Sequence, residues 1–101
     1  MNLEEQVEIS ILFKYYGKLL TEKQQEAIKM YVDDNLSLSE IGDELSITRQ
    51  GVKDALDKAV LSLKKYEDSL NFIKRDEKIR ETLKNEDESV KNKIISILED
   101  I

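Results

Sequence analysis

Three positions constrain this chain more than anything else in it: Gly42, Ile47 and Val52, evenly spaced and set between two helix-start signals. Ser37 followed by Glu40 has capping-box spacing, in which the hydroxyl takes up a free amide of the first turn and the carboxylate reaches back. Thr48 stands where an N-cap belongs, ahead of Arg49-Gln50-Gly51-Val52. The pattern predicts a short helix over about 38–45, a turn at Ser46-Ile47, and a further helix from residue 49.

A helix-turn-helix needs a small residue where its helices cross, an apolar residue in the turn and another one turn into the second helix, because these lock the crossing angle. Gly42, Ile47 and Val52 fill those places, and Ile41, Leu45 and Ala55 complete the predicted core. The first turn residue often adopts a left-handed backbone, which costs Ser46 roughly 1 kcal/mol relative to glycine. Apolar contacts around it exceed that cost.

The segments on either side also read as helices. Val7, Ile11, Leu12, Tyr15, Tyr16 and Leu19 form an apolar stripe and predict a helix over roughly 4–18. Thr21 and Gln24 repeat the capping-box spacing, and the helix they open runs to about Asp33, burying Ala27, Ile28, Tyr31 and Val32. Asp33-Asp34-Asn35 then supplies turn formers.

Past Thr48 the apolar positions Leu56, Ala59, Leu63, Tyr66, Leu70 and Ile73 recur at alternating intervals of three and four, the rhythm of a coiled-coil seam, with no breaker until about Asn85. Such a helix either breaks near Asp68-Ser69 and folds back, or pairs with a second copy through Leu56, Leu63, Tyr66, Leu70 and Ile73. A last helix places Val90, Ile94, Ile97, Leu98 and Ile101 on one face. The fold expected is all-α, with a helix-turn-helix domain over 1–70, a long fourth helix, and a C-terminal helical extension over 71–101 that could serve in dimerisation.

Composition narrows the function. The 101 residues contain no proline, cysteine or histidine, which suits long helices and removes disulfides, thiolate metal sites and the commonest neutral base. Acidic pairs such as Asp33-Asp34 and the run Glu86-Asp87-Glu88 sit in polar turns with no nucleophile or base beside them, so neither catalytic residues nor a metal or cofactor is expected. No apolar run approaches the ~20 residues of a membrane span. Glu4, Glu5 and Glu8 occupy the stretch where a secretory signal would be basic. A cytoplasmic protein without a membrane partner is the expectation.

Net charge is −6, and no third of the chain is basic: residues 1–36 carry 4 basic and 7 acidic side chains, 37–70 carry 5 and 7, and 71–101 carry 7 and 8. Long-range attraction to nucleic acid is correspondingly weak.

The run from Ser37-Leu38-Ser39-Glu40-Ile41 through Leu45-Ser46-Ile47-Thr48-Arg49-Gln50-Gly51-Val52 resembles region 4 of bacterial primary sigma factors, whose equivalent helix enters the major groove. That resemblance implies base-edge contacts for Arg49, Gln50 and Lys53 and phosphate contacts for Thr48 and Lys58. Against it, Asp54 and Asp57 lie on or near the same face, and Arg49, Lys53 and Asp57 could equally be solvated pairs of an ordinary helix surface, worth a few tenths of a kcal/mol.

Four blocks, Leu19-Leu20-Thr21-Glu22-Lys23-Gln24, Tyr31 with Ser37-Leu38-Ser39-Glu40-Ile41, Thr48-Arg49-Gln50-Gly51-Val52 and Tyr66-Glu67, together resemble the YlxM family, small helix-turn-helix proteins named for their place beside the signal recognition particle genes. The resemblance covers about residues 3–75. It implies an all-helical protein, a homodimer through long helices, and a regulatory role in the signal recognition particle pathway through protein or RNA partners. Where family members often have alanine this chain has Gly51, which loosens the first turn of the recognition helix by roughly 0.5–1 kcal/mol. The competing reading is a sequence-specific DNA regulator using Arg49, Gln50 and Lys53.

Overall fold

A computed structural model describes residues 2–100, without the side chain of Asn85. In order, the helices are α1 (Leu3–Tyr16), α2 (Glu22–Val32), α3 (Leu38–Leu45), α4 (Arg49–Leu70), α5 (Phe72–Thr82) and α6 (Glu88–Asp100), with 3-10 turns at Gly17–Leu19 and Leu83–Asn85. The protein is all-helical, as its periodicity predicts. The chain divides into two compact units that meet between Leu70 and Asn71.

The helix starts follow the cap chemistry. Thr21 and Gln24 close a complete capping box at α2, with amide-to-side-chain bonds of 3.1 and 3.2 Å. Ser37 and Glu40 do the same at α3, at 3.0 and 3.1 Å. The Ser37 bonds to the Glu40 carboxylate, from its backbone amide first and its hydroxyl second, hold that carboxyl below its ordinary value.

In the first unit α4 is the central element, and α1, α2 and α3 all pack on it. Ile9, Leu12, Tyr16 and Leu20 from the first hairpin meet Ala27 and Ile28 of α2, Ile41 of α3, and Val52, Leu56, Ala59 and Leu63 of α4 in one buried core. Tyr16 donates its hydroxyl to the Glu67 carboxylate, and Tyr66 donates to the Leu19 carbonyl at 3.4 Å. Tyr16 is fully buried and Tyr66 half-buried, each with its hydroxyl satisfied.

Two expectations are corrected. The first concerns α1: Val7 and Ile11 are 51% and 44% exposed and Leu19 is also exposed, while Ile9, Leu12 and Tyr16 are buried. α1 has apolar residues on opposite sides, so its sequence holds two candidate stripes, and the cleft between α2 and α4 selects the one with Ile9 at its centre.

The second concerns the continuous seam of the long helix; of the two outcomes expected, a break near Asp68-Ser69 or pairing with a second copy, a break is found, two residues later. The helix ends at Leu70, because Asn71 adopts a left-handed conformation (φ 56°) that a helix cannot continue through. Asparagine is among the few non-glycine residues that take this conformation readily. The predicted seam is therefore not one continuous stripe: Ile73 lies on α5, beyond the break. Leu56 and Leu63 are buried in the first unit, Tyr66 is half-buried and Leu70 is exposed.

In the second unit, Arg75 bonds Asp76 at 3.1 Å and lies over the Phe72 ring at 5.0 Å, and Arg80 reaches Glu99 at 3.6 Å between α5 and α6. Ile94 and Leu98 are half-buried, whereas Val90 and Ile97 are exposed. Ile101, expected on the same face, lies outside the described residues. No helix among the described residues is long and apolar enough to cross a membrane.

Candidate nucleic-acid interface

α3, the turn and the start of α4 form the bend that the sequence pattern requires. Ser46 takes the left-handed conformation (φ 58°, ψ 41°), and both its amide and that of Ile47 (3.0 Å) donate to the Gly42 carbonyl, closing the C-terminus of α3. A methyl group on Gly42 would sit 2.8 Å from the Ile47 carbonyl oxygen. Glycine is thus needed because the backbone of the turn folds over it.

The helix-turn-helix core residues occupy different depths. Ile41, Gly42 and Val52 are buried, and Leu45 and Ala55 are half-buried. Ile47, expected inside, is 41% exposed. Its backbone carbonyl, rather than its side chain, makes the tight contact with Gly42, and the left-handed residue before it leaves the side chain partly in solvent.

Thr48 caps α4, its hydroxyl oxygen accepting from the Gly51 amide at 3.0 Å, and the Val52 amide donates to the Thr48 carbonyl at 3.0 Å. A methyl group at position 51 would meet the Thr48 hydroxyl at 3.2 Å and the Ile47 side chain at 3.7 Å, side-chain atoms rather than backbone, so Gly51 is not demanded by space as Gly42 is.

All five candidate contact residues, Thr48, Arg49, Gln50, Lys53 and Lys58, are exposed. Two of them are engaged along the helix itself. Lys53 forms an ion pair with Asp57 at 2.8 Å, which with the neighbouring charges raises its affinity for the proton. Gln50 donates to Asp54 at 3.0 Å. Arg49 and Lys58 have no ion-pair or hydrogen-bond partner among the described residues. The first unit as a whole carries 9 basic and 14 acidic side chains, a net −5.

This arrangement offers an unpaired guanidinium at the head of the exposed helix and an unpaired Lys58 further along it, with Lys53 between them answered by Asp57 and the neutral Gln50 bonded to Asp54. Sequence reasoning anticipated the Lys53–Asp57 pair but not the Gln50–Asp54 bond, which the i, i+4 spacing allows. Among the described residues no group of three or more acidic side chains is placed to hold a metal ion.

Two helices locked by a left-handed turn over a glycine, with a capped and exposed second helix, define a helix-turn-helix protein. The chain belongs to the UPF0122 family, described as inferred helix-turn-helix proteins, YlxM / p13 like, whose model matches residues 3–101. It is 40% identical over 82 residues to a UPF0122 protein of Clostridium kluyveri, covering 81% of this chain and 74% of that one. Similar relatives occur in Clostridium acetobutylicum, 37% identical over 95 residues (91% of this chain, 82% of the relative), and in Mycoplasma capricolum, 41% identical over 75 residues (74% and 66%).

Proposed function

We propose that this protein is a non-catalytic regulatory factor that acts in the signal recognition particle pathway through protein or RNA contacts, and that it does not read DNA sequence. The observation that carries the rejection of DNA reading is the state of the α4 face: Lys53 is paired with Asp57 at 2.8 Å and Gln50 is bonded to Asp54 at 3.0 Å. Releasing these exposed partners costs only a few tenths of a kcal/mol, but any contact with bases or phosphates would bring the Asp54 and Asp57 carboxylates of the same helix towards the phosphate backbone. The pathway itself is supported by the family resemblance, through gene neighbourhood. Affinity capture from native cells tests it: the particle's GTPase, its RNA or its receptor should be retained, and repeated capture without any of them would overturn the assignment.

Arg49 favours a second reading. It is exposed, without a partner among the described residues, and stands at the start of a capped helix in a helix-turn-helix, where a bidentate contact to guanine is geometrically natural. Titration of promoter DNA at ~50 mM salt, the condition most favourable to phosphate contacts, should leave Arg49, Gln50 and Lys53 unshifted in NMR spectra. Shifts at those residues that fade steeply with salt would establish DNA reading instead.

A further inference from the structure

Away from the α4 face, α1 and α2 enclose a cleft of about 520 Å³, within the range of roughly 300–1,000 Å³ usual for small-molecule sites. Its apolar lining comes from two residues. Gly17, the buried C-cap of α1, has so little room that a methyl group there would sit 2.8 Å from two ring carbons of Phe13. The half-buried Phe13 ring therefore lies against the backbone at Gly17 and borders the cleft with it.

The remaining lining is polar: Lys14 and Lys18 from α1 and the turn after it, and Glu22, Gln25, Glu26 and Lys29 from α2. Gln25 is held by the Leu20 carbonyl at 2.9 Å. The three lysines and two glutamates are exposed, and among the described residues no ion pair or hydrogen bond joins these cations to these acids. Three cations against two acids make the lining net positive inside a unit that carries −5. Cations and acids that share a cleft without meeting can be satisfied together by one ligand that spans them.

We propose that this cleft binds a guanosine phosphate, as a free nucleotide or as an unpaired residue of an RNA strand. The base would stack on Phe13, since every base has a π face for an aromatic ring. The phosphate would take the lysine ammonium groups, and guanine is the base that offers adjacent imino and amino donors to one carboxylate, Glu22 or Glu26. A bare phosphate would leave the ring and the acids unused, and an acidic peptide would meet both glutamates. The site goes beyond the pathway reading and does not depend on it.

The test is an NMR titration of the full chain with guanosine monophosphate to ~5 mM and, separately, with the RNA pentamer UUGUU. Saturable shifts are expected at the amides of Gly17, Lys18, Gln25 and Glu26, with uridine monophosphate at least about fivefold weaker. The double variant K14E/K18E, at exposed sites, should weaken binding about tenfold or more through loss of the phosphate contacts. E22Q/E26Q should instead bring guanosine and uridine monophosphates to equal affinity, and thermal unfolding of both variants should match the parent. Saturation by the nucleotide alone supports a free-nucleotide site, and saturation only by the pentamer supports the same site for guanosine in RNA. Inorganic phosphate that reproduces the shifts, equal binding of guanosine and uridine monophosphates by the parent, unchanged binding by K14E/K18E, or no shifts with either guanosine probe would overturn the proposal.

Discussion

Up to Leu70 the helices enclose a core; from Asn71 onward they do not. Every buried apolar side chain among the described residues falls between Ile9 and Leu63, and α6 buries none. The two units have similar local signals, including amphipathic spacing, turn formers and acidic first turns. The difference is the number of elements: three helices packed around α4 can surround a side chain such as Leu63, whereas two short helices shield one side of each other and leave Val90 and Ile97 in solvent. Amphipathicity therefore identifies a helix and a face, while burial requires neighbours on the remaining sides.

Mutations can break that comparison. Leu63→Ala, at a fully buried site, should cost about 3 kcal/mol in urea unfolding of the whole chain. A loss below about 1 kcal/mol would show that the first unit is not the cooperative core. Gly42→Ala should cost about 2 kcal/mol, because the added methyl meets a backbone oxygen that cannot rotate away. An alanine tolerated there without loss would mean that the turn is looser than the 2.8 Å approach implies.

Ser37→Ala should cost about 1 kcal/mol through loss of the cap. It also sharpens a pH effect. Since the folded Glu40 carboxyl is held below its ordinary 4.5, its contribution is fully present above that value and is lost as pH falls through the folded pKa. NMR titration should find Glu40 titrating low in the parent and closer to normal in the variant, and identical titrations would remove the capping box as the cause. The smallest effect is expected in the second unit: Ile97→Ser, 62% exposed, should change stability by less than about 0.5 kcal/mol. A larger loss would show that α6 is covered in solution.

Much of the fold was legible before any coordinates. The caps at Thr21, Ser37 and Thr48 are local chemistry between residues three apart, so their positions could be read with little error. The bend at Ser46 was legible for a similar reason, since a short turn between two caps leaves few backbone solutions. The break at Asn71 was less so. A single asparagine weakly signals a left-handed residue, and with the seam periodicity running across it through Ile73 the sequence offered a break only as one of two outcomes, near Asp68-Ser69. The candidate site divides the same way. Which residues are exposed at the head of α4 follows from helical phase, but the engagement of Gln50 by Asp54 depends on which of several allowed rotamers is taken.

By itself the sequence determined the all-helical class, the caps, the helix-turn-helix spacing and the acidic balance, because each depends on residues within a few positions of one another or on composition alone. Only the tertiary structure decided which face of α1 is buried and that Ile47 meets Gly42 through its backbone. It alone showed that Leu56 and Leu63 are occupied within the first unit and not free for a seam. Those outcomes are set by competition among distant helices for the same apolar surface, and that competition has no period in the sequence to reveal it.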